Sequence, residues 1–168
     1  MRAIQLSLIA ALTACPAPAF SAERVTKVEA VLAWTLYADG KSAHEFCFIT
    51  AEAKPSAAGD AAASLPRVYL TAWPKEGVKA ELSFLVGPSV KTGSGPSAQS
   101  GQTQVPLISR DDRLYVSTAT DEAKLIEAMK RGTDLSVKAT LGGQAKFAAT
   151  FSLGGFGQAL AKLRNLCG

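Results

Sequence analysis

Residues 150–167 read T-F-S-L-G-G-F-G-Q-A-L-A-K-L-R-N-L-C, and the hydrophobic period changes in the middle of them. The first residues are the end of a strand. After Gly154-Gly155, the residues Phe156, Leu160, Leu163 and Cys167 recur at i, i+4, i+7 and i+11. That spacing places all four on one face of an α-helix. Glycine tolerates φ > 0, so the pair permits a sharp turn from strand to helix. Cys167 belongs to the last turn of the apolar stripe, not to a loose tail. The expectation is a terminal helix packed on a body of strands, its final thiol aimed at a distant partner.

The segments before it are strand-like. Val78–Val86 alternates cleanly: Val78, Ala80, Leu82, Phe84 and Val86 face one way, Lys79, Glu81 and Ser83 the other. That is a half-buried antiparallel strand. Pro74-Lys75-Glu76-Gly77 is a turn that hairpins it to Arg67–Trp73. In E-F-C-F-I-T-A, residues 45–51, Cys47 and Ile49 share one face and Phe46 and Phe48 the other. Apolar residues on both faces predict a strand inside the fold rather than at its rim. Val31–Tyr37 reads as one strand stopped by Asp39-Gly40, with Trp34 as a core anchor and Glu23–Ala30 as a polar lead-in. Gln104–Ser109 and Arg113–Thr118 flank a turn at Asp111-Asp112, and Leu135–Thr140 and Lys146–Ser152 are joined through Gly142-Gly143. Thr120–Arg131 is a helix capped by Thr120 or Asp121, with Leu125, Ile126 and Met129 as its buried stripe and Gly132 beyond it. Lys54–Pro66 is a loop, and the glycine- and serine-rich Gly87–Gln104 a long mobile hairpin tip. The fold class expected is all-β: an antiparallel β-sandwich, or an open barrel, with two short helices, the last at the C-terminus.

The N-terminus sets the compartment. Arg2 precedes an apolar run from Ile4 to about Ala14, the length of a signal peptide and short of the roughly 20 residues that span a bilayer. Small residues follow, with sites for cleavage at Ala19 and Ser21, so residues 1–22 are read as a signal peptide and residues 23–168 as a single domain. Leu12-Thr13-Ala14-Cys15 also has the form of a lipobox, so lipidation of Cys15 stands as an alternative, giving a lipid anchor on the bacterial envelope. No later run predicts a transmembrane segment. Removing residues 1–22 takes away Arg2 and no acid, so the net charge falls from +4 to +3. With no basic stripe, that excess gives no case for nucleic acid. Cys47 and Cys167 remain. In an oxidising compartment two thiols favour one disulfide, the alternative being two separate buried thiols.

Little of the sequence points to chemistry. His44 is the only histidine and sits beside Glu45 with no nucleophile motif, so it is expected at an exposed strand edge. One histidine and two distant cysteines match no zinc spacing. Asp111-Asp112 reads as a solvated turn. No metal and no cofactor are predicted. The residues left for recognition are Trp73, Lys75, Glu76, Lys79 and Lys91, with specificity carried by the Gly87–Gln104 loop. On that reading, deleting Thr92–Ser100 leaves stability nearly unchanged.

F-C-F-I-T-A at Phe46–Ala51 and V-Y-L-T-A-W-P-K-E-G-V-K-A-E-L-S at Val68–Ser83 resemble the invasion-associated locus B family of bacterial envelope proteins. E-A-M-K-R-G at Glu127–Gly132 and F-S-L-G-G-F-G-Q-A-L with its final cysteine are similar to the same family. The resemblance covers about Val31–Cys167. It implies an exported, mostly-β protein of α-proteobacterial type, and carries over no catalytic residues. The chain departs from the pattern in its short Thr92–Gln104 segment and in Ala149, where relatives often have an aspartate. The expectation is a non-catalytic, periplasmic or secreted binding module, its partner an envelope or host-surface protein or an anionic polymer. The alternative is an envelope hydrolase with an unrecognised carboxylate-based site.

Overall fold

The computed structural model describes residues 25–41, 43–55 and 66–168. The expected signal peptide, Cys15 and most of the Lys54–Pro66 loop lie outside them. Ten strands form: β1 (Val25–Val31), β2 (Trp34–Asp39), β3 (Cys47–Glu52), β4 (Arg67–Trp73), β5 (Val78–Leu85), β6 (Ser97–Ser100), β7 (Thr103–Arg110), β8 (Arg113–Val116), β9 (Asp134–Thr140) and β10 (Lys146–Ser152). Helix α1 (Ala119–Arg131) follows β8 and α2 (Phe156–Cys167) ends the chain. The strands pair antiparallel in one sheet ordered β1-β2-β3-β4-β5-β8-β7-β6-β9-β10. The sheet does not close. It curls until β10 meets the end of β3, where Ala53 bridges Phe151 and the Lys54 N–H donates to the Thr150 carbonyl at 2.7 Å. Phe84 of β5 and Phe151 of β10 then face each other across the core, ring centroids 6.3 Å apart.

The alternation in β5 explains why the sheet curls around a core: Leu82 and Phe84 are fully buried, as are Ile49, Val68, Leu70 and Leu114 on neighbouring strands. Helix α2 lies against β1–β4 on this inner side. Its stripe of Phe156, Leu160, Leu163 and Cys167 is buried. Trp34 anchors its start, with its ring 4.9 Å from Phe156 and its indole N–H donating to the Ser152 carbonyl at 3.1 Å. Gly155 sits at φ 86°, and a Cβ there would stand 2.5 Å from the Val31 carbonyl oxygen. Only glycine satisfies both demands. At the other end Cys167 is joined to Cys47 of β3, with a Cα–Cα distance of 6.0 Å.

Four expectations are corrected. Val31–Tyr37 is not one strand: Leu32 at φ 52° and Ala33 turn the chain, and the polar lead-in forms β1, paired with β2. Helix α1 is capped two to three residues earlier than read, by Thr118, whose Oγ accepts the Asp121 N–H at 3.1 Å. Gly132 is at φ −84°, so it is not there for a left-handed cap; a Cβ would meet the Ser100 hydroxyl at 2.5 Å. The Gly87–Gln104 segment is not a free tip. It contains β6, paired with both β7 and β9, and buries Val90, Ala98 and Ser100.

Candidate functional site

The strands that fill the core also build an outward face. Side chains alternate, so burial of Cys47, Leu70 and Leu114 turns Phe48, Tyr69 and Tyr115 outward. Tyr37 of β2 and Phe48 of β3 are cross-strand partners, their rings stacked at 5.1 Å with planes 14° apart. Phe46 continues the stack at 6.4 Å and meets Trp73 at 5.4 Å, while Tyr69 tilts against Phe48 at 5.8 Å. The rings are half-buried. Arg113 lies over Tyr69 with its guanidinium carbon 5.1 Å from the ring centre, and Arg110 over Tyr115 at 5.8 Å. Such cation–π contacts hold a guanidinium in place without neutralising it.

A second cluster sits where β2 ends. Asp39 is buried, 1% exposed. Its Oδ1 lies 2.8 Å from His44 Nδ1, and its Oδ2 accepts the Glu45 N–H at 2.8 Å. Burial pushes the Asp39 carboxyl up, but the Glu45 N–H, His44 and Lys41 together hold it below the ordinary carboxylate value. Glu45 is bridged to Lys75 at 2.9 Å and Lys41 at 3.0 Å, and those two ammonium groups hold its carboxyl down. An open cleft of about 410 Å³ beside the disulfide is lined by Ala43, His44, Pro74, Lys75 and Leu166. His44 is therefore not an exposed strand-edge residue: it covers a buried carboxylate. On the inner side, Glu122 of α1 accepts the Leu82 N–H at 2.6 Å. Burial raises its carboxyl, the Leu82 N–H opposes that, and the charge of Glu81 adds to it.

Of the residues read from the sequence, Trp73, Lys75, Glu76 and Lys79 gather around the β4–β5 turn, Trp73 as part of the aromatic face and Lys75 as the partner of Glu45. Lys91 does not join them. It lies beyond the far end of β5, its N–H bound to the Thr140 carbonyl at 2.8 Å. Asp111 and Asp112 form the β7–β8 turn, and their carbonyls accept from Val90 and Val86. The sequence reading missed Tyr37, Tyr69, Tyr115, Arg110 and Arg113 as one surface. Its signal was the second apolar face of β3, which looked like burial. β3 is internal in strand order, but its Phe48, with Phe46 just before the strand, forms part of the half-buried outer surface. Among the described residues, no group of three or more His, Cys, Asp or Glu side chains is placed to hold a metal ion. Nor is any described helix long and apolar enough to cross a membrane.

The sequence profile of the Invasion associated locus B (IalB) protein family matches residues 34–164. No curated protein matches the chain. Among solved structures, the fold is similar to the crystal structure of invasion associated protein B from Bartonella henselae. The TM-score is 0.55 at 14% identity, over 80% of this chain and 93% of that one.

Proposed function

We propose, for a chain that belongs to the Invasion associated locus B family, that it works as a non-catalytic binding module outside the cytoplasm and uses the aromatic face of β2–β5, β7 and β8. The observation that carries this reading is the ring array Trp73–Phe46–Phe48–Tyr37, continued by Tyr69. An antiparallel sheet can gain its core from one face and leave the other to solvent. Placing six aromatic side chains on the other face, two of them tyrosines capped by arginine, exceeds what folding requires. Aromatic and arginine side chains are the types that dominate binding energy at recognition surfaces. The Cys47–Cys167 disulfide suits an oxidising compartment, periplasmic or extracellular. Lipidation at Cys15 would place the same face at the envelope surface. The solved relative's name associates that protein with invasion; for this chain, an envelope or host-surface partner is the corresponding reading.

A photo-crosslinking side chain placed at Tyr69 in the native envelope should capture a partner, and one at Lys138 on β9 should not. Equal or absent capture at both positions overturns the use of this face. The hydrolase reading would draw on Asp39, His44 or Glu122. A turnover found in a broad substrate screen and abolished by D39N, H44A or E122Q would replace the binding reading.

A further inference from the structure

We infer that the ligand of this face is an acidic polysaccharide, held by the guanidiniums of the cross-strand neighbours Arg110 and Arg113 and by the aromatic row beside them. The inference rests on the binding reading above and adds the chemistry of the ligand. Arg110 and Arg113 are direct cross-strand partners on β7 and β8. Like charges placed opposite each other on adjacent strands destabilise the pairing, and what the fold gains from the two side chains is limited to their contacts with Tyr115 and Tyr69. The row continues from Arg113 through Leu85 to Arg67 and Glu52. Glu52 is ion-paired with Arg67. Among the described residues, no carboxylate lies within ion-pair distance of Arg110 or Arg113. Asp111 and Asp112 are next in sequence, but they form the turn beyond the pair. Two unneutralised guanidiniums from adjacent strands, each held over a tyrosine ring, can receive carboxylate or sulfate oxygens.

The rest of the face selects among anionic partners. Stacked rings such as Tyr37 and Phe48 cover each other's faces and present their edges, which carry partial positive charge. The hydroxyls of Tyr37, Tyr69 and Tyr115 can donate to further oxygens. The surface is donor-rich and suits a ligand dense in oxygen acceptors. β2, β3, β4, β5, β8 and β7 all have a neighbour on both sides, so an extended acidic peptide could gain no main-chain pairing here. The rings are half-buried and packed against one another, whereas insertion into a lipid surface needs apolar groups that reach the acyl boundary. Six adjacent strands give the face a width of about 24 Å, room for several sugar units.

The probe is a short oligogalacturonate titrated into the oxidised protein by calorimetry. Neutral malto-oligosaccharide, poly-glutamate and phosphatidylglycerol vesicles are the comparison arms. The oligogalacturonate should bind, weaken at least about tenfold as salt is raised from low ionic strength to about 0.15 M, and weaken about tenfold or more in R110Q/R113Q. That double variant should keep about the wild-type melting temperature, because the like-charge repulsion it removes offsets the two cation–π contacts it loses, and K138Q should bind as wild type. Poly-glutamate or vesicles binding as tightly as the oligogalacturonate would overturn the polysaccharide class. So would failure of the oligogalacturonate to bind, or binding indifferent to R110Q/R113Q. If crosslinks from Tyr69 persist alongside such a failure, the binding face stands and only the ligand class falls. If the crosslinks fail as well, both fall.

Discussion

Asp39 and Glu122 are carboxylates that the fold treats in opposite ways. Asp39 is buried but receives the Glu45 N–H and faces His44, and its folded pKa lies below the ordinary 3.8. A lowered carboxyl pKa contributes stability that is complete above the unfolded value and is lost as pH falls through the folded one. Glu122 has its pKa raised above the ordinary 4.5, mainly by burial. Its contribution is complete below the unfolded value and is lost as pH rises through the folded one, so at neutral pH its charge opposes folding. Melting curves of single variants should separate the two. D39N should lower the melting temperature at pH 7 and reduce the loss of stability on acidification below about pH 4. E122Q keeps an oxygen that can accept the Leu82 N–H and removes the charge, so at pH 7 it should match or exceed wild type. E122A leaves that N–H without its acceptor and should cost about 1–3 kcal/mol. An E122Q protein much less stable than wild type at pH 7, or a D39N protein with an unchanged acid limb, contradicts the assignment.

Secondary elements were legible where side-chain period and burial agree. β5 reads directly because Leu82 and Phe84 point inward while Lys79 and Glu81 point out, and α2 reads from the i, i+4, i+7, i+11 stripe that the structure buries. The failures have physical causes. β1 is an edge strand whose first six residues are exposed on both faces and whose register slips between Lys27 and Glu29, so no period of two survives. The corner at Leu32 uses a positive φ in a β-branch-free apolar residue, which gives no turn signal. β6 is only four residues, S-A-Q-S, stabilised by ladders on both sides and not by its own apolar pattern. The aromatic face was hidden because half-buried rings on a sheet's outer side carry the same pattern as a second core layer. Two predictions belong to this scale. Deleting Thr92–Ser100 should give a chain without a cooperative melt by circular dichroism, since β6 alone links β7 to β9; a folded deletion product would show that the two parts of the sheet hold together without it. G132A should destabilise by about 1–3 kcal/mol through overpacking against Ser100. Adding S100A should return part of that loss, while Leu153 at 3.1 Å from the new Cβ keeps the recovery incomplete. No recovery in the double variant would mean that the Ser100 contact is not the source of the strain.

For the molecule as a whole, the main problem is that its last element packs on its first strands. Helix α2 contacts β1–β4, which lie far earlier in the chain, and such non-local contacts form only after the loop-closure cost has been met. The disulfide between Cys47 and Cys167, 120 residues apart, removes much of that cost. The chain-entropy model sets its contribution at about 4–5 kcal/mol for a loop of this length, and measured values usually fall below the model. Against a typical total of about 5–15 kcal/mol, that is a large share carried by one bond. The apolar stripe of Phe156, Leu160 and Leu163 supplies burial of its own beside the bond, so reduction should weaken the docking of α2 and leave the β3–β5 ladders in place. Denaturing the oxidised protein should expose no thiol from Cys47 or Cys167. Reduction, or the C47A/C167A pair, should cost about 2–4 kcal/mol in denaturant melts. Under native conditions, hydrogen exchange should then show amides of α2 losing protection before those of β4 and β5. Equal loss in both regions would mean that the helix and sheet unfold as one unit with or without the bond. An unchanged melt after reduction would mean that the native packing, not the bond, holds the two ends of the chain together.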